Sequence, residues 1–201
     1  MNVRKRLLSP WAKPLLMLLL ALPAAWLIYA AFNNLLGANP AEALTRQTGD
    51  WTLRGLCVVL AITPLREITG TPALQRFRRT LGVSTFIYAC LHMLCYAWFD
   101  QGLALEDIWH DILKRPFIWL GFGGLICMLP LAMTSFNAAI RWMGVKRWQT
   151  LHRLVYAVAV LAVLHFFWMR AGKNDFTEVL VYAVVLGVLL AWRVWRAIKA
   201  R

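Results

Sequence analysis

Read for apolar and polar positions alone, the chain falls into six apolar runs separated by short polar joints. The runs are 15–32, 51–65, 81–99, 117–133, 148–169 and 176–192. A helix that spans a bilayer needs roughly 20 mostly apolar residues. Five runs meet or approach that length, and 51–65 is short and carries Arg54. The pattern predicts an all-α integral membrane protein, a single bundle of six transmembrane helices filling residues 1–201. Pro40, Pro64, Pro72 and Pro116 fall at or near expected helix ends, where a missing N–H costs little. Pro23 and Pro130 fall inside runs and predict kinks. The first run also has the layout of a signal peptide, a basic start and small residues at Ala21, Ala24 and Ala25. Its apolar stretch continues through Trp26 to Phe32, which favours a retained span.

Composition removes the soluble alternatives. The 201 residues are 61% apolar and 15% charged, against about 45–50% and 25% in soluble domains. A disordered chain needs low hydrophobicity and is excluded with them. The net charge is +13, which in a soluble protein points to nucleic acid. Its distribution points elsewhere. With the N-terminus inside, the inner segments hold Arg4, Lys5, Arg6 and Lys13, then Arg66, Arg76, Arg78 and Arg79. They continue with Arg141, Lys146, Arg147 and Arg153, then Arg193, Arg196, Lys199 and Arg201, against the acid Glu67. The outer segments hold Glu42, Asp50, Asp100, Glu106, Asp107, Asp111, Asp175 and Glu178 against the bases Arg46, Lys114, Arg115, Arg170 and Lys173. This is the positive-inside rule at each connection, so both termini are expected in the cytoplasm. Trp11, Trp51, Trp98, Trp148, Trp168 and Trp192 sit near the expected interfaces.

Chemistry narrows to the histidines. Cys57, Cys90, Cys95 and Cys127 lie in apolar runs, form no C-x-x-C pair and read as structural. His110 falls in an acidic outer segment and reads as solvated. His92, His152 and His165 lie inside the third and fifth runs, where ionisable groups are costly and usually functional. Counted from the inner ends of their helices, His152 lies roughly 8 Å deep, His92 roughly 20 Å and His165 roughly 27 Å. His92 and His165 therefore share a level that suits one b-type haem with an imidazole from each helix. His152 marks a second, inner level. Thirteen residues separate His152 from His165, which leaves them about 140° apart on an ideal helix, so a bend or bulge is expected if both face cofactors. Packing histidines, as in a transporter or assembly factor without a cofactor, are the competing reading. A metal-ion site fits less well, because its ligands must converge within bond length.

Further short segments carry a resemblance. They include Leu36-Gly37-Ala38-Asn39-Pro40, Thr48-Gly49, Ile62-Thr63-Pro64-Leu65, Arg78-Arg79-Thr80-Leu81-Gly82 and Leu91-His92. Others are Arg115-Pro116, Thr134-Ser135 and Lys146-Arg147-Trp148-x-x-Leu151-His152-x-Leu154-x-Tyr156. With histidines on the third and fifth helices, the chain resembles the ferric-reductase-like transmembrane domain family. The likeness is to its short bacterial branch, the haem-binding membrane subunits of periplasmic protein-methionine-sulfoxide reductase systems. It implies a multi-pass protein of the bacterial inner membrane that holds haem b, one or two, through His92, His165 and His152 as axial iron ligands. It also implies FMN, for which the chain shows no motif. Electrons would arrive from membrane quinone or a separate flavin reductase and leave to the periplasmic molybdopterin subunit, MsrP, which repairs oxidised methionine. The chain itself would be an electron-transfer subunit with no catalytic residue of its own.

Two departures stand out. Larger relatives carry a second histidine 13 or 14 residues before the outer one, and here those positions are Arg79 and Arg78. Arg78 is a candidate partner for a haem propionate or a flavin phosphate, with an anchor of its helix at the membrane interface as the competing reading. No G-x-G-x-x-G follows a strand pattern, so no nicotinamide site is expected. The 100–111 and Gly37–Asp50 segments are expected as outer loops available for docking, and a stand-alone ferric reductase is the remaining alternative.

Overall fold

A computed structural model describes residues 3–172 and 174–199; Lys173 and Arg201 of the charge pattern lie outside the described residues, as do the side chains of Arg4 and Lys5. Every regular element described is helical. The elements are α1 (Val3–Leu8), α2 (Ala12–Phe32), α3 (Pro40–Ile68), α4 (Arg78–Cys95), α5 (Leu105–Lys114), α6 (Pro116–Met133), α7 (Asn137–Met143), α8 (Val145–His152), α9 (Leu154–Ala171) and α10 (Thr177–Lys199). A 3₁₀ turn, Pro72–Phe77, leads into α4, and a π-helical turn, Tyr96–Asp100, follows it. Five stretches are long and apolar enough to cross a membrane: Ala12–Phe32, Pro72–Asp100, Pro116–Met133, Val145–Ala171 and Thr177–Lys199. Much of their apolar surface has no protein cover. Leu18, Trp26 and Ile28 of α2 and Leu180, Val184 and Val188 of α10 are all more than half exposed. Such faces are stable against lipid and not against water, and the chain is a multi-pass membrane protein.

The chain divides into two compact units, one ending at Asp100 and the other starting at Gln101. In the first, α3 packs along α4, with α2 against both. Its core joins Val59 and Ile62 of α3 to Phe77 and Leu81, and Leu16 and Leu20 of α2 cover it. Pro23 opens the hydrogen-bond ladder of α2, as its position in the run predicts. Tyr88 of α4 fills the gap: its hydroxyl accepts the N–H of Ala24 at 3.0 Å and donates to the carbonyl of Leu20 at 2.8 Å. A regular helix would join those two backbone groups directly.

In the second unit α6 packs along α9, α10 lies against α9, and α5 lies against α6. The guanidinium of the buried Arg170, near the end of α9, bonds Glu178 in the first turn of α10. Asp111 of α5 is buried, pairs with Arg115 at 2.6 Å and accepts from Gln101 at 2.8 Å.

Three expectations change. The Gly37–Asp50 segment is not a loop beyond Asn39: Asn39 caps α3 by accepting the Glu42 N–H at 3.1 Å, and Pro40 is its first residue. An N-cap with proline next to it starts a helix readily, so α3 begins about three turns before its apolar stretch. It also runs past Pro64, which lies inside it. In the 100–111 segment, Leu105–Lys114 is the helix α5, which buries Ile108 and Ile112 on one face. His110 is exposed.

Candidate functional site

The first unit sets His92. It lies in the last turn of α4, half-buried, and its Nδ1 is 2.8 Å from the carbonyl oxygen of Thr45 in α3. A carbonyl has no proton to give, so Nδ1–H donates and the lone pair of the neutral ring sits on Nε2. Gly49, one helical turn beyond Thr45, lies against the same ring. A Cβ there would stand 3.1 Å from both Nδ1 and Cε1 of His92.

The second unit repeats the device. His165 of α9 has its Nδ1 2.6 Å from the carbonyl oxygen of Phe117 in α6. Gly121, again one turn further on, faces the ring, and a Cβ there would stand 2.8 Å from Nδ1 and 2.9 Å from Cε1. In each unit one helix thus offers a carbonyl and, four residues on, a glycine to a histidine on the helix it packs along. The residues spanned are 47 for Thr45–His92 and 48 for Phe117–His165. In its neutral form each imidazole then carries its lone pair on Nε2 with a backbone carbonyl on the other nitrogen, the arrangement common among ligating histidines. The donor set fits a haem with imidazole ligands.

His152 is held differently. It ends α8, and its Nε2 lies 3.1 Å from Oγ1 of Thr134, just past α6. Thr134 gives its own hydroxyl proton to the carbonyl of Pro130 at 2.6 Å, so it accepts from the Nε2–H of His152. Trp148 lies over the imidazole with ring centroids 4.0 Å apart and donates Nε1–H to the Thr134 carbonyl at 3.0 Å. A turn at Arg153 separates α8 from α9, so His152 and His165 do not lie on one uninterrupted helix. Arg78 is the first residue of α4, half-buried and 14 residues before His92.

Among the described residues, no three His, Cys, Asp or Glu side chains converge on one point as a metal-ion cage requires. All four cysteines are free thiols, and Cys90 is exposed. Sequence reasoning quoted Thr48-Gly49 and Thr134 only as parts of a likeness, and Trp148 also as an interface residue. It missed the contacts these residues make, and it missed Gly121 entirely, because a glycine in an apolar helix shows no sign of the ring on the helix opposite.

The comparisons with known proteins bear on this geometry. A family model described as "Ferric reductase like transmembrane component" matches residues 48–163, more than half of the chain. The chain is 62% identical to the "Protein-methionine-sulfoxide reductase heme-binding subunit MsrQ" of Polaromonas naphthalenivorans, over 96% of this chain and 88% of the relative. It is 51% identical to the protein of that name from Bordetella pertussis, over 92% and 90%. With that from Herminiimonas arsenicoxydans it shares 46%, over 94% and 87%. No solved structure matches the chain. Likeness along nearly the whole length, at these identities, shows that the chain belongs to the ferric-reductase-like transmembrane family, in the branch formed by the MsrQ subunits.

Proposed function

We propose that this chain is the electron conduit of a periplasmic methionine-sulfoxide reductase system, with His92 and His165 as the axial ligands of an outer b-type haem. The observation that carries the reading is the matched pair of Nδ1–H···O=C bonds, each placing a proton on Nδ1 so that the neutral ring keeps its lone pair on Nε2. The printed names of the relatives, heme-binding subunits, agree with it. Haem held by two imidazoles supplies reversible one-electron transfer. The chain's own residues do the rest. The carbonyls of Thr45 and Phe117 hold the rings and raise their basicity as ligands. The apolar helices keep the histidines away from bulk water.

His152 marks an inner level, and Arg78 is a second candidate for holding a cofactor. Ligation of iron through its Nε2 requires the ring to give up the bond to Thr134. Arg78 offers a guanidinium to a propionate, or to the phosphate of FMN. The proposal includes six crossings with both termini in the cytoplasm of a cell with an inner membrane, α3 being the sixth crossing. It draws electrons from membrane quinol or from a cytosolic flavin reductase and passes them to MsrP, the molybdopterin subunit that performs the oxygen-atom chemistry. The acidic helix α5 and the capped start of α3 are its docking surfaces.

The test is a reconstituted assay. The purified chain, a quinol and the periplasmic reductase are combined with a protein containing methionine sulfoxide. Quinol oxidation coupled to sulfoxide loss, dependent on this chain, is the expected result. Reduction of a ferric chelate with no transfer to the reductase would make the chain a metal reductase instead.

A further inference from the structure

We infer that Gly49 and Gly121 are positioning residues for the two imidazoles, setting the ring planes that His92 and His165 present to iron; this rests on the proposed haem ligation. The argument starts from the two contacts. Each ring is held at Nδ1 by a carbonyl through a hydrogen bond, and its Nδ1–Cε1 edge occupies the space left by a glycine one turn later. The carbonyl fixes where Nδ1 sits, yet a single hydrogen bond leaves the ring free to rotate about it. The glycine leaves the room in which the ring plane settles, because the Nδ1–Cε1 edge lies where a Cβ would project, and any side chain there would turn the ring. An alanine methyl at Gly121 overlaps the ring edge of His165, and one at Gly49 crowds that of His92.

Other glycines separate this role from ordinary helix packing. Gly55 stands on the same helix pair as Gly49, but a Cβ there meets Thr85, with Oγ1 at 2.5 Å, and no imidazole. Gly82 of α4 and Gly187 of α10 would meet nothing within 4 Å. The two contacts also differ in severity. The approach of 2.8 Å at Gly121 demands that the ring shift, while 3.1 Å at Gly49 asks for a few tenths of an ångström. The ring of His165 is also the one held by the shorter hydrogen bond. Gly121→Ala therefore perturbs more than Gly49→Ala.

The experiment uses the full chain purified in detergent. Gly49→Ala, Gly121→Ala, Gly55→Ala, Gly82→Ala and Gly187→Ala are compared with the unaltered protein. Haem per chain, midpoint potential and the low-spin ferric EPR signal are measured; the EPR signal responds to the angle between axial imidazole planes. Gly121→Ala is expected to weaken haem retention by about 10–100-fold, the usual effect of disturbing what orients a ligating histidine. Gly49→Ala is expected to keep more haem with a displaced EPR signal. Gly82→Ala and Gly187→Ala should match the unaltered protein in all three readouts. Gly55→Ala should lower stability while its haem-loaded fraction keeps the native EPR signal. If Gly121→Ala gives no folded protein, Gly49→Ala with its milder contact carries the test. Native haem content, potential and EPR signal in Gly49→Ala and Gly121→Ala would overturn the inference. So would an EPR change in Gly55→Ala as large as that in Gly49→Ala. A protein without haem, or one whose haem survives both His92→Ala and His165→Ala, would instead overturn the ligation reading beneath it.

Discussion

An imidazole inside a membrane has two nitrogens to satisfy and no water to do it. His92 and His165 solve this the same way, with a backbone carbonyl on Nδ1, whereas His152 spends its Nε2–H on Thr134. The difference predicts different consequences of substitution. His152→Ala is expected to leave the outer haem signal intact and to remove only an inner cofactor, read by haem counting per chain. Loss of all haem in that variant would place His152 at the outer site. Thr134→Val deletes both the acceptor for His152 and the bond to the Pro130 carbonyl. A cost of about 1–3 kcal/mol is expected for buried hydrogen-bonding groups so disturbed, measured by unfolding in detergent. At this scale the sequence exposed the three histidines through their cost in lipid and their depth. Their partners stayed hidden, because a carbonyl belongs to every residue and only packing decides which one meets a ring.

Helices were legible in proportion to their apolar length. The runs 15–32 and 117–133 lie inside α2 and α6, and 176–192 starts one residue before α10. The start of α3 was missed although its signal was present: Asn39-Pro40-x-Glu42 holds a cap, a first-turn proline and an acid near the N-terminal end. The charged residues after it read as a loop because hydropathy weighs apolar content and not caps. The helix α5 was missed for a related reason, since its apolar residues form one narrow face. The break that Pro23 makes in the α2 ladder is legible in the sequence, but what bridges it is not. Tyr88 supplies the hydroxyl that joins Ala24 and Leu20 across the break. Tyr88→Phe therefore strips a partner from two backbone groups in an apolar setting and should cost about 1–3 kcal/mol. In a Pro23→Ala background, where the ladder can close by itself, the same substitution should cost markedly less. Equal costs in the two backgrounds, measured as a double-mutant cycle, would mean that the hydroxyl does not serve the proline.

For the whole molecule, the +13 charge reads as direction of insertion rather than as affinity for nucleic acid. Five stretches are long and apolar enough to cross, and α3 decides the parity. With α3 crossing, reporters at the N- and C-termini fall on the same side. Alkaline phosphatase inserted at Gly102 is then active and at Gly70 inactive. Termini on opposite sides would remove α3 from the crossings. The central claim concerns the two imidazoles, and one measurement meets it directly: the reduced-minus-oxidised visible spectrum of the detergent-purified chain, taken beside His92→Ala and His165→Ala. The account predicts a b-type haem signal whose outer component disappears in each variant. A chain without that signal, or either variant keeping all of it, would contradict the account.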